Sequence, residues 1–174
     1  MAEEAGAGAG AGATTEVAGE WRHESGYILT NDPERVDLEA LHRFLSTEAY
    51  WSVDITKERV ALAVKHSVPF SLLSPTGEFV GFCRLNTDHV TFTYLSDVYV
   101  DKRHRKRGLS KWFLDHILAT DYVTNVRSVF LMTKSAQKLY AKFGFEVVEN
   151  RCMVYRPGVA KDVGRYDWRL VEYI

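Results

Sequence analysis

The stretch from Tyr94 to Leu114 constrains the fold of this chain more than any other, because three structural signals follow one another within it. The aromatic and β-branched residues of Tyr94–Val100 are typical of a β-strand. Leu109, Phe113 and Ile117 recur at helical spacing, which predicts an amphipathic helix that begins near Leu109. A short loop that ends in glycine separates the two. The order predicts a strand–loop–helix unit with the loop at the N-terminus of the helix.

This loop holds six consecutive basic residues, Lys102–Arg107, followed by Gly108. Unpaired backbone N–H groups and the positive end of the helix dipole face outward where a helix begins, so the position suits a phosphate or pyrophosphate group. A basic run by itself fits equally a solvated loop, a nuclear-import signal or a nucleic-acid contact. The strand before it and the helix after it favour anion binding.

The segment Arg105–Ser110 resembles the R/Q-x-x-G-x-G/A acetyl-CoA loop of the GNAT N-acetyltransferases, with Ser110 where that family usually has glycine or alanine. The resemblance implies that loop amides hold the pyrophosphate of acetyl-CoA. It also implies that the preceding strand pairs with the pantetheine arm. The cofactor contacts expected from this segment are Val98, Tyr99, Val100, Arg105, Lys106, Arg107, Gly108, Leu109 and Ser110.

A second segment, Ser135–Phe145, resembles the A-x-x-L-Y-x-x-x-G-F motif of the same family. Its pattern alone predicts a short helix, a glycine that ends it and an aromatic start to a strand. The resemblance implies that the hydroxyl of Tyr140 faces the cofactor sulfur and protonates the departing thiolate. The alternative for Tyr140 is a core aromatic ring with a satisfied hydroxyl. Ser135 and Lys142 complete the expected cofactor contacts.

Asp97 is the candidate general base, because it is a carboxylate inside an otherwise apolar central strand. Acetylation of an amine needs a base or a water relay to take a proton, and a buried carboxylate needs a partner. That partner is either a substrate ammonium ion or a backbone amide or neighbouring basic side chain. Tyr94 and Ser96 lie on the opposite face of a regular strand, where the resemblance implies that other family members place their bases, and a β-bulge would change which residues face the site.

The substrate mouth is expected at the linker between the first two predicted helices, where Glu48, Tyr50 and Trp51 cluster. The resemblance implies that the acceptor binds between this helical pair and the last strands. Aromatic rings beside a carboxylate suit a cationic amine. The alternative is a hydrophobic plug that covers the edge of the sheet.

The predicted elements run strand, helix, helix, three strands, helix, strand, helix and two strands from about Tyr27 to Tyr155. This order is that of the GNAT fold, and it implies an α/β domain with a mixed, twisted sheet flanked by helices. The less regular predictions are strands at Tyr27–Leu29 and Val126–Met132, a helix at Ser135–Phe143, and closing strands near Phe145–Glu149 and Met153–Arg156. Residues 1–19 are predicted to be a disordered Ala/Gly-rich tail, residues 20–157 the N-acetyltransferase domain, and residues 158–174 an extension that packs on it.

Composition excludes several functional classes. A formal net charge of −1 does not fit nucleic-acid binding by overall electrostatics, and the apolar runs are too short to span a bilayer. Cys83 and Cys152 stand apart from each other, and no metal-ligand spacing occurs. Without a signal or transit pattern, the expected location is the cytoplasm, with access to the nucleus open.

The sequence therefore predicts an N-acetyltransferase that moves an acetyl group from acetyl-CoA to a primary amine of a small molecule or a protein. Direct attack of the amine in a ternary complex is expected, without a covalent acyl-enzyme, because neither cysteine stands beside a recognisable base. The alternative is a catalytically silent sensor that binds acyl-CoA.

Overall fold

A computed structural model of the chain describes residues 18–149 and 153. Within these residues six strands form one sheet in chain order. They are β1 (Glu20–Arg22), β2 (Ile28–Thr30), β3 (Val68–Leu73), β4 (Phe79–Thr87), β5 (Phe92–Val100) and β6 (Ser128–Phe130). Neighbouring strands are antiparallel except β5 and β6, which are parallel. The predicted mixed sheet is confirmed.

The helices flank this sheet, and their ends follow local sequence signals. They are α1 (Leu38–Thr47), α2 (Lys57–Lys65), α3 (Leu109–Leu118), α4 (Asp121–Thr124) and α5 (Gln137–Tyr140), with single 3-10 turns at Pro33–Arg35, Lys102–His104 and Ala141–Phe143. The side chains of Asp37 and Thr56 accept hydrogen bonds from first-turn N–H groups and so cap α1 and α2. No helix in residues 18–149 is long and apolar enough to cross a membrane.

The sheet separates two apolar clusters. One cluster lies on the α3 face and includes Phe70, Leu85, Leu95, Val100, Phe113 and Ile117. The other lies on the face of α1 and α2 and includes Leu41, Leu45, Val60, Phe82 and Tyr99. Leu95 and Tyr99 belong to different clusters although they are four residues apart in one strand. Regular alternation would have placed them on the same face.

A β-bulge in β5 explains this change of face. Phe82 pairs with Tyr99 and Arg84 pairs with Ser96, so Asp97 and Val98 together oppose a single residue of β4. Asp97 has φ +54°, in the left-handed region that non-glycine residues seldom adopt. Beyond the bulge, the side chain of Tyr99 therefore turns toward α1.

One strand was not predicted, and two predicted elements differ in extent. The strand β1, which forms a hairpin with β2, lies before the first predicted strand. It was not predicted, because Trp21 is its only apolar residue. The strand β6 is shorter than the predicted Val126–Met132, and the predicted helix Ser135–Phe143 is the short α5 followed by a 3-10 turn.

The remaining differences lie near the ends of the chain. Residues 145–149 form no strand. The strand predicted as their companion, Met153–Arg156, lies outside the described residues except for Met153, as do residues 1–17 and 158–174. The predicted tail and C-terminal extension therefore stay predictions.

Candidate functional site

The strands β5 and β6 diverge, and this opens one edge of β5. They pair only at Phe92–Tyr94 with Ser128–Phe130. From Leu95 to Val100, β5 pairs with β4 but with no described strand on its other side. An exposed strand edge can hydrogen-bond an extended ligand. Val98, Tyr99 and Val100, three of the predicted cofactor contacts, lie on this open stretch.

The basic loop leads from this edge into the N-terminus of α3. Gly108 is the N-cap with φ +75°, and no side chain caps the helix. The first helical hydrogen bonds run from the N–H groups of Lys111 and Trp112 to the Gly108 carbonyl. The N–H groups of Gly108, Leu109 and Ser110 therefore have no acceptor among the described residues. A helix start in this state attracts an anion.

The basic run divides into paired and unpaired side chains. Lys102 pairs with Glu48 at 2.7 Å, Arg103 pairs with Asp101 and Glu78, and His104 shares a 2.8 Å hydrogen bond with the Tyr27 hydroxyl. Nε of Arg105 donates to the Val100 carbonyl at 2.7 Å. Lys106 and Arg107 form no ion pair or hydrogen bond with the described part of the chain. The two unpaired cations are thus the residues immediately before Gly108.

Tyr140 ends α5 with its ring in the apolar cluster on the α3 face, where the residue is 8% exposed. No described residue hydrogen-bonds its hydroxyl. Burial raises the pKa of Tyr140 to about 12, with smaller contributions from Cys83 and Tyr50. The phenol is therefore protonated at neutral pH and can donate a hydrogen bond.

The carboxylate of Asp97 has two partners. Nε of Arg84 donates to one oxygen at 2.5 Å, and the indole N–H of Trp51 donates to the other at 2.9 Å. The sequence left open whether Asp97 pairs with a substrate ammonium ion, a backbone amide or a basic side chain. In the structure it pairs with a basic side chain. A substrate ammonium ion would have to compete with Arg84 for this carboxylate. Both oxygens of the Asp97 carboxylate therefore already accept hydrogen bonds from within the chain.

Arg84 continues the polar contacts along the sheet. Its Nη1 donates to the side-chain oxygen of Asn86 at 3.1 Å, and the Asn86 amide donates to the Ser96 hydroxyl at 3.1 Å. Sequence reasoning missed both Arg84 and Asn86. The sequence did contain a signal for them, because both residues alternate with the apolar Cys83 and Leu85, as polar residues do along a strand.

The linker between α1 and α2 bridges two parts of the site. Trp51 contacts Asp97 at the bulge, while the Tyr50 hydroxyl accepts from the backbone N–H of Lys134 at 3.0 Å in the loop after β6. Both aromatic residues remain close to half exposed, at 45% and 44%. The structure thus brings Tyr50 and Trp51 to the bulge. Glu48 points elsewhere, toward Lys102 at the end of β5.

Other predicted groups occupy simpler positions. Ser135 and Lys142 are exposed on either side of α5. Cys83 is fully buried, and burial raises the pKa of its thiol, so it is not an available nucleophile. Residues 18–149 hold no group of three His, Cys, Asp or Glu side chains suited to a metal ion.

Comparison with known proteins gives a consistent assignment. A family model described as "Acetyltransferase (GNAT) domain" matches residues 58–147, which include the basic loop and Tyr140. A curated protein of Gibberella zeae named as an acetyltransferase is 29% identical over 135 residues, covering 67% of this chain and 76% of the relative.

Two solved structures resemble the chain. The crystal structure of a GNAT-family protein of Xanthomonas campestris pv. campestris has a TM-score of 0.71 and 34% identity, and the match covers 76% of this chain and 95% of that one. A GNAT-family acetyltransferase of Streptococcus pneumoniae TIGR4 has a TM-score of 0.57 and 21% identity over 75% of this chain and 96% of that one. The second likeness concerns the fold alone.

Proposed function

Because this chain belongs to the GNAT family of acetyltransferases, we propose that it transfers an acetyl group from acetyl-CoA to a primary amine of a small molecule or a protein. The observation that carries the proposal is the uncapped start of α3, with Lys106 and Arg107 directly before it and the open edge of β5 beside it. Acetyl-CoA is the substrate that supplies the activated acetyl thioester.

These groups fit the parts of acetyl-CoA. A pyrophosphate needs several hydrogen-bond donors and positive charge, which the N–H groups of residues 108–110 and the side chains of Lys106 and Arg107 provide. The pantetheine arm carries amide groups, which suit backbone pairing with Val98–Val100 on the open edge. Ser135 and Lys142 belong to the proposed contacts as well.

Tyr140 is the proposed general acid. As the amine nitrogen bonds to the acetyl carbon, the carbon–sulfur bond breaks and negative charge develops on sulfur. The Tyr140 hydroxyl donates its proton to that sulfur, the acylated nitrogen releases its extra proton to water, and the tyrosinate then regains a proton from solvent. The raised pKa keeps the donor protonated before the reaction.

Tyr50 and Trp51 form the proposed acceptor mouth. Their exposed ring faces attract a cationic amine and leave room for it to lose a proton to water before it attacks. Asp97 and Arg84 hold the indole of Trp51 in place, so we assign Asp97 a positioning role. Glu48 contributes negative charge farther along the same face.

A turnover assay with the purified full-length chain tests this function. Acetyl-CoA is offered with a panel of diamines, amino acids and lysine peptides, and both the released thiol and the acetylated amine are measured. Acetylation of one amine class with equal thiol release is the expected result. Tight acetyl-CoA binding without turnover on any amine would favour the silent sensor. Salt-sensitive nucleic-acid binding that acetyl-CoA does not displace would favour the nucleic-acid alternative.

A further inference from the structure

A second cleft, of about 480 Å³, lies on the α1 side of the sheet. The first turns of α1, the β3–β4 turn and the residues that follow β5 enclose it. It is separate from the open edge of β5, because the bulge turns the side chain of Tyr99 away from that edge and into this cleft. None of the predicted cofactor contacts except Tyr99 lines it.

Two aromatic rings form the floor of the cleft. The rings of Phe44 and Tyr99 stack with their centroids 3.7 Å apart and their planes 14° from parallel. Tyr99 is only 8% exposed, yet no hydrogen bond joins its hydroxyl to the part of the chain that the structure describes. Burial, followed by the charges of Asp101 and Asp37, raises the pKa of Tyr99. Tyr99 and both acids line the cleft, and the Tyr99 hydroxyl is therefore neutral there.

The wall of the cleft is acidic. Five carboxylates line it (Glu34, Asp37, Glu48, Glu78 and Asp101) together with three guanidinium groups (Arg35, Arg43 and Arg103). Arg103 is already neutralised by Asp101 and Glu78. Lys102 pairs with Glu48 from outside the lining, and the balance still remains negative. The field in the cleft therefore attracts a cation.

We propose that this cleft binds an organic ammonium ion. The Tyr99 hydroxyl accepts a hydrogen bond from the ammonium N–H, the ring of Phe44 offers its negative face, and Asp37 supplies charge at the rim. An inorganic cation would use only the charge, whereas an alkylammonium ion also gains from the aromatic floor. This proposal does not rest on the proposed acetyl transfer, although Glu48 borders both the cleft and the proposed acceptor mouth.

Calorimetry on the full-length chain without an acetyl donor tests the proposal, with 1,5-diaminopentane as the probe. Glutarate, which has five carbons and two carboxylates, is the matched anionic control and should not bind. Tyr99→Phe keeps the stacked ring and should weaken diamine binding by about tenfold or more, since a hydrogen bond to a charged group is lost. Asp37→Asn keeps an oxygen for the cap of α1 and should weaken binding by about two- to fivefold.

Two controls make the result specific. Asp115→Asn on α3 removes the same charge far from the cleft and should leave diamine affinity unchanged. Trp51→Ala alters the acceptor mouth, and because the Trp51 ring lies 6.3 Å from that of Phe44, it should weaken diamine binding less than Tyr99→Phe does. Absence of diamine binding, or binding that Trp51→Ala weakens and Tyr99→Phe does not, would overturn the proposal. Because no turnover is measured, the result stands or fails independently of acetyl transfer.

Discussion

Tyr140 and Asp97 are the two proposed site residues whose contacts differ most. The Asp97 carboxylate is held by Arg84 and Trp51, so removing it disturbs the bulge and the linker together. The Tyr140 hydroxyl has no hydrogen-bond partner among residues 18–149. Removal of a hydroxyl that bonds to no described residue should have little effect on the fold. A loss of turnover in such a variant would therefore report on the chemistry and not on stability.

Tyr140→Phe should therefore lower turnover by about 10²–10⁴-fold, the usual range for loss of a general acid. Acetyl-CoA affinity and melting temperature should barely change. Tyr27→Phe is the matched control, because it deletes a hydroxyl that does have a partner, His104. That variant should lose about 1 kcal/mol of stability and keep normal turnover. Near-normal turnover in Tyr140→Phe would refute the assignment of Tyr140 as the acid.

The same tyrosine predicts how stability depends on alkaline pH. Its pKa of about 12 in the folded chain exceeds the ordinary value of 10.0, so the unfolded state releases the proton first. Its contribution to the free energy of unfolding is complete below pH 10 and is lost as the pH rises toward 12. Urea unfolding at pH 9, 10 and 11 measures this, and Tyr140→Phe should decline less steeply than the wild-type chain. Parallel declines would show that the hydroxyl is not desolvated.

Among the elements, the linker of residues 48–56 contacts the bulge through the indole hydrogen bond of Trp51. Trp51→Phe keeps an aromatic ring and removes the N–H that donates a hydrogen bond to Asp97. The KM for the amine should rise about threefold to tenfold, since one hydrogen bond to a charged group is lost, while acetyl-CoA affinity stays constant. Trp21→Phe on the edge strand β1 is the control and should change neither constant. An equal loss of affinity for both substrates would make the linker structural.

The loop before α3 is the subject of a second prediction for an element of the fold. Lys106→Glu combined with Arg107→Glu should weaken acetyl-CoA binding by at least about a hundredfold, because each lost contact to phosphate is worth about 1.5–3 kcal/mol. Lys65→Glu at the exposed end of α2 reverses a charge without touching the loop and should have no effect. Unchanged affinity in the double variant would remove the phosphate site. Arg105 is a poorer choice for this test, because its guanidinium already bonds to Val100.

Local signals predicted the elements better than they predicted the contacts between them. Asp37 and Thr56 are residue types that commonly cap helices, Gly108 precedes the predicted helix near Leu109, and all three stand at helix starts in the structure, because such signals involve residues only a few positions apart. The bulge at Asp97 depends on how β5 pairs with β4, and period-two alternation within one strand contains no such information. The Arg84 partner and the cleft beside Tyr99 depend on that bulge. Alternation could indicate that Arg84 is a polar residue in a strand, but not that it pairs with Asp97 or that a cleft lies beside Tyr99.

For the whole molecule, the divergence of β5 from β6 leaves a seam, along which residues 95–100 have no strand partner on the β6 side among the described residues. The proposed donor contacts on the two sides of this seam are the β5 edge with the start of α3, and the loop around α5. A ligand that contacts both sides of the seam should stabilise the whole folded domain against unfolding. Acetyl-CoA at a hundred times its Kd should contribute about 2.7 kcal/mol to stability by mass action.

Such a gain should raise the melting temperature by roughly 5–15 °C for a domain of this size. Thermal unfolding with and without acetyl-CoA measures it, and the Lys106→Glu, Arg107→Glu double variant should show little shift at the same concentration. Tyr140→Phe should keep the full shift while losing turnover, since its hydroxyl acts only as charge develops on sulfur. A chain that acetyl-CoA does not stabilise, yet that acetylates an amine with another acyl thioester, would require a different donor at this seam.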